Sequence, residues 1–259
     1  MRPVRTSGAL VSLASAYGLA RSLLIYYGVP LRLSRLRAFY RQFVRPGDLC
    51  FDIGAHVGNR LRALAGLGAR VVALEPHPTF LRLLRRWYGG WPGVIVLGQA
   101  VGAEAGERAL QISRMSPTVS TLSSEWAAQV ARAPGFASVH WEAEVRVPVT
   151  TLDALIEQYG PPAFCKLDVE GSELEALQGL SVPLPALSFE VVPAAVELAL
   201  GCLDRLARLG ESEFNRTLGE STRWQANDWV DGQAMATQLR ALSPSSRSGD
   251  VYARLRPAS

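Results

Sequence analysis

The sequence predicts an α/β protein built on a doubly wound, mostly parallel sheet, with a helical arm in front of it. Three observations carry that prediction. Short apolar runs alternate with helical patterns five times along the chain. The first run, Cys50-Phe51-Asp52-Ile53, passes directly into Gly54-Ala55-His56-Val57-Gly58-Asn59 and an amphipathic helix carrying Leu61, Leu64 and Leu67. The second run, Arg70 to Leu74, ends at Glu75, 21 residues past Gly54. In a parallel sheet, a glycine turn after one strand and an acid closing the next bracket a nucleotide-like ligand, with the acid on its ribose.

Taken in order, the chain opens with an arm over residues 1–45 that holds eight arginines and no acid. The rest has 27 − 8 = 19 basic against 23 acidic residues, so the net +4 belongs to the arm and the body is acidic. No nucleic-acid partner is expected from such a body. Thr6 to Ala20 is uncharged and contains Ala14-Ser15-Ala16, a secretion-like small-residue site. It falls short of the roughly 20 apolar residues of a membrane span and Arg21 interrupts it, so a helix covering one edge of the body is expected. Leu31 to Val44 reads as a basic amphipathic helix with Leu33, Leu36, Tyr40 and Phe43 on one face. It either docks on the body with a solvated arginine face or meets an anionic membrane or an anionic substrate. Cys50, Cys165 and Cys202 are too few and too scattered for a disulfide framework or a zinc site, which fits a reducing cytoplasm.

The body then runs from residue 46 to 259. Gly54 is expected to turn tightly, Gly58 to bring the helix start close to the strand, and the backbone N–H groups between them to face the ligand. Asp52 would repel a pyrophosphate and attract a ligand carrying an ammonium and a sulfonium. That favours S-adenosylmethionine over NAD, as does the missing third glycine. A helix over Pro78 to Tyr88, a loop at Gly89 to Gly93 and a strand over Val94 to Leu97 follow, with Ala100-Val101-Gly102 facing the ligand's base. Residues 102–148 form a long insertion with extra strands at Leu110 to Ile112 and His140 to Val149, and a short helix capped at Ser123-Ser124. Thr151 opens a helix to Tyr159; Ala163 to Asp168 is a strand; Ser172 caps a helix through Leu180. Ala186 to Val191 is the fifth strand and Ala194 to Leu209 a helix; strands at Phe214 to Leu218 and Val251 to Leu255 close the chain as a hairpin with no helix between them. His77 reads as an exposed loop residue and His140 as a surface one. Ser116, Ser120, Ser123 and Ser124 form no nucleophile elbow, which excludes hydrolase chemistry of that kind.

Several blocks occur in a telling order: Phe51-Asp52-Ile53-Gly54-Ala55-His56-Val57-Gly58, Val72-Ala73-Leu74-Glu75-Pro76, Ala100-Val101-Gly102, Val149-Thr150-Thr151-Leu152-Asp153 and Lys166-Leu167-Asp168-Val169-Glu170-Gly171. Together they resemble the FkbM-type family of S-adenosylmethionine-dependent methyltransferases, from about Gly47 to Val191, with a weaker echo at Gly249 to Ala253. The resemblance implies a seven-stranded class I, Rossmann-like sheet and methyl transfer to a hydroxyl of a glycan, polyketide or other secondary metabolite. It also implies that Asp52, Gly54 and Gly58 hold the methionine end of the cofactor and Glu75 its ribose. Ala55, His56, Asn59, Pro76, Ala100, Val101 and Asp168 complete the expected cofactor contacts. His56 stands where asparagine is common in the family.

The only lysine, Lys166, lies in the fourth strand two residues before Asp168, and period-two alternation puts both on one face. A buried ammonium needs a carboxylate, and Asp52 or Glu190 is the expected neighbour. The pair either is purely structural or orients Asp168 as the base that takes the acceptor's proton. In the second case Glu170 anchors the acceptor, and His56 is the other candidate base. Asp168, Glu170 and Glu190 together could ligate a divalent metal, but Lys166 opposes a cation, and none is expected. A fold-sharing module without catalysis and an NAD-dependent oxidoreductase remain the rival readings; the first would show damaged strand-end acids, yet Asp52, Glu75, Asp168 and Glu190 are all present.

Overall fold

A computed structural model describes residues 13–133 and 135–256 of the chain. Arg2, Arg5 and the Thr6 to Ser12 part of the expected first helix lie outside them. Within them, helix α1 spans Leu13–Tyr27 and runs through Arg21, and α2 spans Arg32–Tyr40. The body alternates β1 (Leu49–Ile53), α3 (Asn59–Ala65), β2 (Arg70–Leu74), α4 (Pro78–Tyr88) and β3 (Val94–Leu97). After an excursion come α6 (Leu152–Tyr159), β7 (Phe164–Leu167), α7 (Glu173–Gln178), β8 (Ala186–Val191), α8 (Val196–Leu209), β9 (Ser212–Arg216), α9 (Gly232–Arg240) and β10 (Gly249–Leu255).

Seven of these strands form one sheet in the order β3-β2-β1-β7-β8-β10-β9. The first five are parallel, and β10 runs antiparallel between β8 and β9. This is the doubly wound, seven-stranded sheet expected. Its order reverses between β1 and β7, so their carboxyl ends splay apart and leave a crevice there. The excursion builds a second sheet, in which β6 (Ala143–Thr150) pairs parallel with β4 (Ala100–Val101) and antiparallel with β5 (Gly106–Ile112). Its helix α5 spans Ser124–Val130, with the Ser123 hydroxyl accepting the Trp126 N–H at 3.1 Å.

Helices cover both faces. On one face α6, α7, α8 and α9 bury Leu155, Leu177, Leu203 and Leu239 against Phe51, Leu167 and Phe189. On the other, α3 and α4 bury Leu61, Leu64 and Leu84 against Cys50 and Val71, and α2 adds Leu36, Phe39 and Tyr40 to that same core. Phe43, just past α2, stacks on Phe164 at 5.2 Å and on Tyr252 at 5.8 Å. The arm's second helix is thus docked through its apolar face, while Arg35, Arg41 and Arg45 stay exposed.

Three local expectations are corrected. A helix, α9, does separate β9 from β10; Asp231 caps it, its Oδ1 accepting the Ala234 N–H at 2.8 Å. Its Asp-Gly start imitates a turn, and nine residues give periodicity little length to register. Ser172 precedes α7 without a capping bond, and its buried hydroxyl has no partner among the described residues. His77 is buried, not exposed: its Nδ1 caps α4 by accepting the Thr79 N–H at 3.2 Å.

Candidate active site

A cavity, about 810 Å³ with the open space at its mouth counted, opens at the carboxyl ends of β1, β2, β7 and β8. Gly54 forms its floor beside Asp168. At φ +79° it occupies the left-handed region, and a Cβ there would lie 1.8 Å from the Asp168 carbonyl oxygen. Only glycine lets the two strand ends approach so closely. Pro76, Ala100, Val101 and Phe80 supply apolar wall, Leu110, Pro117 and Leu122 come from the insertion, and Tyr26 comes from α1.

Five carboxylates line this space: Glu75, Asp168, Glu170, Glu190 and Glu220. Burial raises the Glu75 carboxyl to about 7, against the backbone N–H groups of His56 and His77, which its two oxygens accept at 2.7 Å each. Glu170 and Glu190 are pushed well above the usual carboxylate range, first by burial and then by the acids beside them. Asp168, Glu170 and Glu190 bring one oxygen each within 4.8 Å of one another. No arginine or lysine lines the cavity among the described residues. Both histidines there are neutral, since burial lowers His56 to about 3 and His77 to about 4. His56 sits between Tyr26 (5.2 Å) and Phe80 (4.1 Å), its Nε2 buried with no partner among the described residues.

The cations stand behind the wall, in an alternating chain. Arg32 Nη2 lies 2.7 Å from Glu220 Oε2, which Arg60 Nη1 also meets at 2.6 Å. Arg60 Nη2 reaches Asp250 Oδ2 at 3.6 Å, and Asp250 Oδ1 accepts from Lys166 Nζ at 3.1 Å. Lys166 Nζ then donates to Asp168 Oδ2 at 3.1 Å. Burial would raise the Glu220 carboxyl, but Arg60 and Arg32 hold it down at about 2. Burial likewise opposes the Lys166 charge, yet Asp168 and Asp250 keep it protonated well above the ordinary lysine range.

The loop after β7 is held from three sides. Glu170 adopts φ +50° and Gly171 φ +92°, an unusual pair of left-handed residues. The Glu173 carboxylate accepts the N–H groups of Val169 (2.9 Å) and Gly171 (3.0 Å). The Thr121 hydroxyl donates to the Glu170 carbonyl at 2.6 Å. Trp126 lies against Gly171, where a Cβ would come within 2.2 Å of its ring.

Of the residues singled out in the sequence, Gly54, His56, Glu75, Pro76, Ala100, Val101, Asp168 and Glu170 line the cavity. Asp52, Ala55, Gly58, Asn59 and Lys166 do not. Asp52 is 1% exposed, its Oδ2 buried with no partner among the described residues, and burial lifts it to about 6. Gly58 makes room for Leu84 and Tyr88 of α4, where its Cβ would fall within 2.7 Å, and not for the strand. The expected cradle of free N–H groups is absent too: Gly54 and Ala55 both donate to the Leu74 carbonyl at 2.9 Å, and His56 donates to Glu75. Lys166 lies opposite Asp52 in register, but its ion pairs are with Asp168 and Asp250, and none is with Asp52 or Glu190 among the described residues. Sequence reading missed Tyr26, Phe80, Glu220 and Asp250. Only the last had a signal, in the Gly249 to Ala253 block.

Residues 52–197, more than half of the chain, match the family described as the methyltransferase FkbM domain. The chain belongs to that family. The cofactor of the FkbM methyltransferases is S-adenosylmethionine. A hexuronic acid methyltransferase of Haloferax volcanii, AglP, is 27% identical over 148 residues, which span 56% of this chain and 55% of that protein. The match thus covers about half the length of the curated relative. Among solved structures, the chain is similar to a TehB-like SAM-dependent methyltransferase from Corynebacterium glutamicum, at TM-score 0.45 and 9% identity over 94% of this chain and 98% of that one. It is also similar to an O-methyltransferase from Bacillus cereus in complex with SAH, at TM-score 0.42 and 16% identity over 95% and 90%.

Proposed function

We propose that this protein transfers a methyl group from S-adenosylmethionine to an uncharged hydroxyl of a glycan, polyketide or related small molecule, in the cytoplasm where that cofactor is made. The observation that supports it is the Asp168 carboxylate, held by Lys166 at 3.1 Å at the cavity wall beside Gly54. The residues present suit the cofactor. Glu75 closes β2, where a ribose diol would bind; Phe80, Ala100 and Val101 offer apolar surface for a base; and the surrounding carboxylates suit a cation. Bound there, the cofactor supplies an electrophilic methyl carried on a sulfonium.

This chain's own residues then position and deprotonate. Asp168 receives the proton that the acceptor hydroxyl gives up, and Lys166 fixes the orientation of the carboxylate that takes it. Glu170, which burial and its acidic neighbours keep protonated, donates a hydrogen bond to the acceptor. His56 is neutral and is the reserve base. The relative acts on a hexuronic acid, but a wall that carries the Asp168 carboxylate and no described arginine or lysine offers an acidic sugar no counter-charge. A neutral acceptor fits better. Asp168→Asn should bind S-adenosylhomocysteine as the parent does and lose about 10²–10⁴-fold in kcat. Full turnover by that variant would move the base to His56 or to no side chain at all. Tight NAD binding with no response to S-adenosylhomocysteine would overturn the methyltransferase reading.

A further inference from the structure

The two longest stretches of the chain without an acidic residue are 1–47 and 76–103. The fold joins their described parts into one surface. Tyr27 of α1 meets the Trp87 ring edge-on at 5.9 Å, and its hydroxyl lies 2.7 Å from that of Tyr88. Trp91 packs on Tyr88 at 5.0 Å. Leu24, one turn before Tyr27 on the same side of α1, is 73% exposed, and Leu31 beyond it is 69% exposed. Trp87 and Trp91 are each 39% exposed. Arg21, Arg82, Arg85 and Arg86 are exposed as well, and none of the four is in an ion pair among the described residues.

Each of these features is ordinary alone; their coincidence is not. Exposed leucines and indoles cost free energy in water, and indoles favour the boundary between apolar and wet phases. Arginines without counter-charges, drawn from two acid-free stretches, give the same surface a positive field. Aliphatic and indole groups ringed by arginine are what an interface-lying helix presents to anionic headgroups. We propose that this α1–α4 face seats the protein on an anionic bilayer surface, with Leu24, Leu31, Trp87 and Trp91 at headgroup depth and the arginines on lipid phosphates. Charge complementarity chooses this occupant over a second copy of the chain, which would set like charges against each other. The same two helices send Tyr26 and Phe80 into the cavity wall, so the docked face adjoins the site.

Sedimentation of the full chain with phosphatidylcholine vesicles, with and without phosphatidylglycerol, at low and high salt, tests this. Binding should require the anionic lipid and fall at least about tenfold at high salt. The triple variant Arg82→Gln/Arg85→Gln/Arg86→Gln should lower the bound fraction at least about fivefold with unchanged melting temperature and S-adenosylhomocysteine binding. The pair Trp87→Ala/Trp91→Ala, which also removes ring contacts to Tyr27 and Tyr88, should lower it as far while S-adenosylhomocysteine still binds. Equal binding to neutral vesicles, or binding to neither kind, would overturn the proposal without any variant. So would equal competition by a DNA duplex, which would mark a general polyanion surface, or a gel-filtration dimer that shields Trp87.

Discussion

Asp250 holds together more of the site than its place in the chain discloses. One oxygen takes Lys166 at 3.1 Å, and the other faces Arg60 at 3.6 Å and Tyr252 at 3.4 Å. Breaking a buried pair by removing one charge costs about 3–5 kcal/mol, because the other charge stays behind. Asp250→Asn should therefore melt earlier. It should also lower kcat more than the acceptor KM, since Lys166 then loses the partner that fixes it beside Asp168. Asp250→Glu should restore part of the rate; a purely structural role would lower stability and leave the ratio of kcat to KM effects unchanged. Gly54→Ala meets a different limit. A side chain at φ +79° costs about 1–3 kcal/mol in backbone strain. Its Cβ must also displace the Asp168 carbonyl, so calorimetry should show S-adenosylhomocysteine binding lost along with stability. Both glycine and lysine were legible in the sequence, the one by its place after a strand and the other by being the only one of its kind. Asp250 was not, because it reaches Lys166 across 84 residues through strand order alone. The expected strand order pointed instead to Asp52, opposite Lys166 on β1, or to Glu190 at the end of β8, and neither forms an ion pair with it among the described residues.

At the scale of elements, the insertion is the clamp on the loop after β7. Trp126, 2% exposed, fills the space that Gly171 leaves open, so Trp126→Ala should cost about 3–5 kcal/mol and release Glu170 from its left-handed conformation. Thr121→Val keeps the shape but strands the Glu170 carbonyl, a loss of about 1–3 kcal/mol; denaturant melts would rank the two. Glu173 supplies a pH test. Burial raises its carboxyl to about 7, above the value it has in an unfolded chain. Below about pH 4.5 it is protonated in both states; as pH rises toward 7 the unfolded chain ionises first, so stability is lost over that window. His56 and His77, lowered by burial, act oppositely, adding stability above about pH 6.5 that is lost as pH falls. The readout is thus a difference: between about pH 5 and pH 8, urea stability should decline less in Glu173→Gln than its balance with the parent at low pH predicts. The sequence reading placed a cap at Ser172 because hydroxyls favour that position, whereas the acid next to it fixes the preceding loop by taking the Val169 and Gly171 N–H groups. The insertion's strands showed through their alternation, whereas its contacts with the loop depend on how the small sheet is set against the large one.

Over the whole molecule, the large sheet was readable because five buried parallel strands announce themselves as apolar runs between helices. The site was readable only in part, since the family match covers 52–197 while Tyr26, Glu220 and Asp250 come from outside it. Tyr26 and Glu220 bring the arm and the β9–α9 connection to the cavity wall, and Asp250 of β10 supports that wall through Lys166. Hydrogen exchange should register the union: S-adenosylhomocysteine should slow exchange together around Tyr26, residues 116–122 and residues 168–171, and leave the outer face of α8 unchanged. The position of β10 has a consequence for how the chain comes into being. It is the last described strand to be synthesised, yet it lies inside the sheet, between β8 and β9. On the ribosome, β8 must wait with a bare hydrogen-bonding edge while residues 192–248 are made, and β9, already translated, has no strand in the sheet to join. Lys166 meanwhile lacks one of its two carboxylates. The nascent protein is most open to wrong pairing in that interval, and its maturation is decided late in translation.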